Sequence, residues 1–215
     1  MSSFPIILSA PSGGGKTTIA RELLRRRNDI GYSVSCTTRP PRPDEVHGTD
    51  YFFLTREAFI SAREKGDFAE SAEVHDDLYG TLRSEVDRVL ASDRHVVMDI
   101  DVQGARQLLG VYPASVLVFV LPPDSAVLLE RLKGRGTERG KALDRRLTSA
   151  VQELRAVGMY HYVVVNEDID RAVDDVSKIV DTEEMRTSRI DQLNERVDEL
   201  VAGLEGALRN NQRSN

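Results

Sequence analysis

Apolar positions along the chain follow two rhythms, and the rhythms predict the elements. Short unbroken apolar runs bounded by turn residues read as buried strands: "FPIILS" at 4–9, "HVVMDID" at 95–101, "SVLVFVL" at 115–121 and "YHYVVVN" at 160–166. Between them apolar residues recur at helical spacing. Ile19, Leu23 and Leu24 predict a helix from about Gly15 to Arg27. Further helices are expected near Val102–Leu109, from Asp124 to Gly134 and across "KALDRRLTSAVQELRAVG". The alternation predicts an α/β fold, with a mostly parallel central sheet flanked by helices.

Residues 33 to 90 break the alternation and read as an inserted lobe of short strands and loops. A proline-rich loop there cannot be helical, and a strand follows near Tyr51–Phe53. Thr55 is expected to cap a helix to about Lys65, and "FAESAEV" at 68–74 alternates like a strand. From about residue 171 the chain reads as helical again. Ile190, Leu193, Val197, Leu200 and Leu204 repeat at heptad spacing, weakened by Gly203 and Gly206. That row fits a helix packed on its own domain, or a helix through which the chain forms a homo-oligomer.

Composition narrows the class. The chain has 215 residues, 40% hydrophobic and 30% charged, enough for one domain of ordinary size with a real core. No apolar run approaches the ~20 residues that span a membrane, and the N-terminus lacks a signal-peptide pattern. The single cysteine, Cys36, permits no intramolecular disulfide, and a cytoplasmic location is expected. The four histidines show no metal-ligand spacing with Cys36. A net charge of −6 argues against broad nucleic-acid binding. The charge is uneven, however: Arg131 to Arg146 holds seven basic residues against two acidic ones.

The chemistry begins at "SAPSGGGKTT", residues 9–18. A glycine-rich loop leaving a buried strand and opening a helix points backbone N–H groups at one spot, where the helix dipole favours an anion. Glycine lets the backbone approach without a Cβ in the way. Ala10, Pro11, Ser12, Gly13, Gly14, Gly15, Lys16, Thr17 and Thr18 thus form a candidate nucleoside triphosphate site. Lys16 would reach terminal phosphates and Thr17 would ligate magnesium. Ala10 stands where the strict pattern has glycine, so the loop is a variant. GTPases, ATPases and small-molecule kinases share such a loop. No Asn-Lys-x-Asp motif, expected of a GTPase with a separate guanine-selecting loop, is present. Arg39 and Arg42, in a loop stiffened by Pro40, Pro41 and Pro43, suit either a phosphate monoester or a solvated basic turn. Tyr51 and Tyr79 could add phenolic donors.

"SAPSGGGKTT", "SVSCTTRPPRPDEVHGTDYFF", "AEVHDDLYGT", "VVMDIDVQGA", "LKGRGTE" and "VVVNEDID" occur in an order that resembles the guanylate kinases, from about residue 4 to 185. The resemblance implies a P-loop kinase that uses magnesium and moves a phosphoryl group from ATP to GMP. It implies a core (1–35 and 91–188), an inserted mixed α+β GMP-binding lobe (36–90) and a helical lid (about 124–150), with a helical tail (189–215) outside it. By matched position, Ser35, Arg39, Arg42, Tyr51, Tyr79 and Thr81 are implied around the GMP phosphate, and Glu70 and Asp99 as guanine readers. The reader role suits the chemistry, because guanine presents donors at N1 and its exocyclic amine, and a carboxylate only accepts. The alternative for Glu70 is an outward-facing strand residue and for Asp99 a strand-end cap or a magnesium partner, and Asp101 is the candidate for the magnesium water shell. Lys16, Arg39, Arg135 and Arg146 are the implied catalytic cations, and Asn166 matches a position near the donor adenine. Gly14 and Leu78 depart from the family, which commonly has alanine or threonine at the first and often tyrosine at the second. The competing readings are a kinase for another nucleoside monophosphate and a non-catalytic guanylate-kinase-like module that binds proteins.

Overall fold

Five parallel strands make the central sheet of the computed structural model, which describes residues 2–74, 76–134 and 141–213. They are β1 (Pro5–Ser9), β2 (Ile30–Tyr32), β7 (His95–Asp99), β8 (Val116–Leu121) and β9 (Tyr162–Val165), in the order β2-β7-β1-β8-β9. Every residue of β1 is buried, as is β8 from Val116 to Val120. Unbroken apolar strands are what a sheet covered on both faces requires. Helices α1 (Lys16–Arg26), α4 (Val102–Val111) and α7 (Ile169–Glu184) flank it, burying Ile19 and Leu23, Ala105 and Leu108, and Val173 and Val176. Parallel strands place all their carboxyl ends on one edge, and in open α/β sheets that edge holds the ligand crevice. The phosphate loop follows β1, Asp99 ends β7 with Asp101 just beyond it, and Asn166 follows β9.

A second sheet, in the order β4-β3-β6-β5, builds the insert from β3 (Cys36–Thr37), β4 (Phe52–Phe53), β5 (Phe68–Val74) and β6 (Asp77–Leu82). It is mixed, with β3 parallel to β4 and antiparallel to β6. Its small core is Cys36, Phe59, Phe68 and Leu78, with Phe59 stacked on Phe68 at 4.4 Å between ring centroids. Leu78 packs here, where a tyrosine would have to bury its hydroxyl. Phe59 comes from α2 (Arg56–Glu64), whose Thr55 cap accepts the Ala58 N–H as expected.

The structure adds a helix where the sequence predicts only strands and loops: α3 (Arg83–Leu90). It has no side-chain cap and only two turns, so its sequence signal is weak. Its Val86 and Val89 are fully buried with Val96 and Met98, so α3 packs on the central sheet. Helices α5 (Ser125–Gly134) and α6 (Lys141–Arg155) pack through Leu128, Leu132 and Ala150. The expected lid arginine Arg135 lies outside the described residues.

The chain divides into two compact units, Ser3–Ile179 and Val180–Asn215 with the first two residues. In the second, Glu183 is buried in a pair with Arg189 at 3.0 Å. Helix α8 (Leu193–Arg213) begins after Gln192, which has φ 55°, so Ile190 falls outside the helix and outside its apolar row. Val197, Leu200 and Leu204 are exposed. Among the described residues no helix is long and apolar enough to cross a membrane.

Candidate functional site

The phosphate loop leaves β1 at Ala10 and enters α1 at Lys16. Gly15 caps the helix with φ 96°, no side chain caps it, and no acidic residue sits in its first turn. The helix's first N–H groups are therefore available to an anion. Gly14 N–H closes the turn on the Pro11 carbonyl at 2.7 Å. A Cβ at Gly14 would lie 2.6 Å from the Cβ of Ala10, which is 1% exposed. The Pro11 carbonyl oxygen would stand 2.9 Å from the same point, so the Ala10 methyl group and the Pro11 backbone together fill the room that a methyl group at 14 would need.

Two side chains from outside brace the loop. Asn166, at the end of β9 and 1% exposed, donates from Nδ2 to the Gly14 carbonyl at 2.8 Å. It also lines a cavity of about 680 Å³ with Gly13, Gly15, Thr18, Val127 and Arg131. Among the described residues its Oδ1 is buried without a hydrogen-bond partner. Glu153 of α6 accepts the Ser12 N–H at 3.2 Å, and burial pushes its carboxyl above the usual range.

Three carboxylates separate into two environments. Asp99, ending β7, accepts from Thr17 Oγ1 at 2.5 Å and from the Tyr32 hydroxyl at 2.7 Å. Asp101 caps α4 by accepting the Gly104 N–H at 2.7 Å. Glu70 is 5% exposed in β5, and Thr81 Oγ1 donates to its Oε1 at 2.7 Å. Burial, opposed by the Thr81 bond and aided by the charge of Asp101, pushes its carboxyl up to about 7. Asp101 lies near Glu70: a Cβ on Gly104 would stand 2.5 Å from Glu70 Oε2 and 3.4 Å from Asp101 Oδ1.

Glu70, Ser35, Arg42, Tyr51 and Tyr79 share one cavity of about 490 Å³ with loop residues 11–17, Asp99, Asp101 and Arg146. Not every expected residue reaches its wall. Arg39 does not line it and is held by Glu45 through two bonds of 2.8 Å, with its guanidinium 5.4 Å from the Tyr51 ring centre. Thr81 is fully buried behind Glu70, Ala10 lies under the loop, and Thr18 lines the other cavity. Arg146 donates to the Leu132 carbonyl at 2.9 Å.

A profile of the guanylate kinases matches residues 2–183. The chain belongs to the guanylate kinase family. It is 44% identical over 183 residues to the guanylate kinase of Nitrosomonas europaea, covering 85% of this chain and 91% of that one. With the Thermotoga maritima guanylate kinase it shares 45% identity over 183 residues, 85% of this chain and 88% of the other. The crystal structure of guanylate kinase from Anaplasma phagocytophilum superposes with a TM-score of 0.77 at 32% identity, covering 92% and 95% of the two chains. The parallel sheet with its flanking helices and lobes is the guanylate kinase fold.

Sequence reading missed three polar residues around this guanylate kinase site: Glu45, Tyr32 and Glu153. Glu45 left a local signal. It stands three residues after Arg42, whose N–H it accepts at 2.8 Å while gripping Arg39. The Arg39 bond holds its carboxyl below the usual range. Tyr32 and Glu153 left none, because their partners are 67 and 141 residues away in sequence.

Proposed function

We propose that the chain transfers the γ-phosphoryl group of ATP to GMP, giving ADP and GDP. The observation that carries this reading is a single cavity with a phosphate loop at one end and a buried carboxylate, Glu70, at the other. An oxygen of the GMP phosphate attacks the γ-phosphorus, and the bond to the β–γ bridging oxygen breaks, leaving ADP. The chain's part is positioning and charge stabilisation. The loop N–H groups and Lys16 hold the donor phosphates, and Arg146 with Arg135 stabilises charge on the transferred group. Arg42, Tyr51, Tyr79 and Ser35 hold the acceptor phosphate, with Arg39 supporting them.

Glu70 would read guanine as an acceptor for N1–H and the amine. Adenine has no N1 donor and would leave the carboxylate unpaired, which is a strong basis for rejection. The surroundings of the two aspartates favour exchanging their expected roles. Asp101, beside Glu70, belongs with base reading, and Asp99, bonded to Thr17, belongs with the metal. Thr17 Oγ1 and Asp99 Oδ2 present two oxygens to one point, the donor chemistry that suits magnesium. These residues would hold it, Thr17 directly and Asp99 through water. When bound, the ion neutralises charge on the donor phosphates.

The test is ADP release from ATP with GMP, AMP, CMP or UMP, against ATP alone. GMP-dependent ADP release alone is expected. Preference for another monophosphate, or release with none, would overturn the reading.

A further inference from the structure

We infer that the face of α4 carrying Gly104 and Gln107 sets the position of the Glu70 carboxylate, and through it the selection of guanine. The inference rests on the proposed reading role of Glu70. Asp101, Gly104 and Gln107 recur every three residues, which puts them on one side of the helix. That side faces β5.

Gly104 acts by what it lacks. A Cβ there would stand 2.5 Å from Glu70 Oε2 and 3.0 Å from its Cδ. The carboxylate has no easy retreat. Its other oxygen is held by Thr81, and the residue is 5% exposed. To clear a methyl group the carboxylate must rotate, and rotation breaks the Thr81 bond.

Gln107 acts one residue along the strand. Its Oε1 accepts the Ser71 N–H at 3.1 Å and its Nε2 donates to the Ser71 carbonyl at 3.0 Å. β5 is the edge of the insert's sheet, with β6 on its other side. An edge strand leaves a row of backbone groups open, and here the glutamine amide takes both groups of Ser71. The strand is thus clamped to a core helix at the residue after Glu70. A carboxylate that must meet two guanine donors together tolerates little displacement. Gly104 and Gln107 are therefore positioning residues for specificity.

The experiment compares Gly104→Ala, Gln107→Leu and Glu70→Asp, singly and with Gly104→Ala combined with Glu70→Asp. The readouts are KM for ATP, KM for GMP, and the ratio of kcat/KM for GMP over IMP, which lacks the exocyclic amine. Gly104→Ala should raise KM for GMP about 10- to 100-fold and shrink the GMP/IMP ratio, as expected for loss of charged hydrogen bonds. Gln107→Leu should act in the same direction by about 10-fold, and KM for ATP should stay within about twofold in both. In the Glu70→Asp background the carboxylate is one carbon shorter, so adding Gly104→Ala should cost much less. A purely structural glycine would show no such relief. Equal losses for ATP and GMP, an unchanged GMP/IMP ratio, or no relief in the double variant would overturn the inference. If Gly104→Ala does not fold, the ratio in Gln107→Leu decides. Glu70→Gln separates the two levels: if it leaves GMP kinetics unchanged, the reading role fails, whereas a large Glu70→Gln effect beside inert Gly104 and Gln107 variants sinks only the positioning role.

Discussion

Replacing Glu70 by glutamine should stabilise the ligand-free fold while damaging its use of GMP. The carboxyl is 5% exposed and is held at about 7 against an ordinary 4.5, with burial as the main cause. A raised folded value means that the folded chain holds its proton more tightly than the unfolded chain. The stability linked to that proton is present in full below about pH 4.5 and is lost as the pH rises through about 7. At pH 8 the ionised group should therefore weaken the fold by about 3 kcal/mol at most. Glutamine keeps an oxygen for Thr81 and never ionises, so Glu70→Gln should escape the loss. Thermal unfolding without nucleotide should show the variant about 6–12 °C more stable at pH 8, with the gap nearly closed at pH 4.5.

Function should move the other way. The amide offers one acceptor and adds donors where guanine also donates, so kcat/KM for GMP should fall about 100-fold. The parent's kcat/KM for GMP should rise with pH through about 7 as Glu70 ionises, and the variant should lack that step. GMP's own phosphate ionises near about 6 in both proteins, so it cancels in their ratio. A variant less stable than the parent at pH 8, or a stability gap equal at both pH values, would refute the reasoning from burial. A ratio flat across pH would refute ionised Glu70 as the reader.

The two aspartates should separate cleanly. Asp99→Asn is expected to raise the magnesium concentration for half-maximal rate about 10-fold with the GMP/IMP ratio intact, while Asp101→Asn should lower that ratio instead; steady-state titrations check both. Gly14→Ala should overpack the loop against Ala10, costing about 1–3 kcal/mol in urea unfolding and raising KM for ATP. Adding Ala10→Gly should recover part of the loss, since the Pro11 carbonyl still crowds the new methyl group. Asn166→Ala should strip the Gly14 carbonyl of its buried partner, lowering stability by about 1–3 kcal/mol and raising KM for ATP while KM for GMP holds.

Much of the fold was legible because it rests on apolar rhythm. The five strands of the central sheet are short runs with turn residues around them, and four of them were read as buried apolar strands. The capped α2 is legible from Thr55 with Glu57 and Ala58 in the first turn after it. Helix α3 is not, because two buried valines on two uncapped turns give too little period to separate a helix from a loop. The apolar row at the C-terminus shows the converse error. Ile190 keeps the heptad spacing, but spacing carries no record of the backbone break at Gln192. At the site, the glycine-rich loop announces itself through local spacing. What stayed hidden is long-range pairing, as with Tyr32 on Asp99, Glu153 on Ser12 and Gln107 on Ser71, where each partner is an ordinary polar residue with no pattern of its own.

The proposed exchange between Asp99 and Asp101 rests on where each one's element directs it. Both stand in "DID" after an apolar run, and residues two apart in a strand would leave on the same face. Asp99 is the last residue of β7, however, and the chain turns before Asp101, which already serves as the cap of α4. The strand rule therefore stops applying between them. Asp99 keeps the strand's direction and meets Thr17 at the start of α1, the helix that follows the neighbouring strand β1. Asp101 takes its direction from the first turn of α4, and that turn runs against β5 and Glu70. On the proposed reading, the end of β7 thus divides two identical side chains between metal holding and base reading.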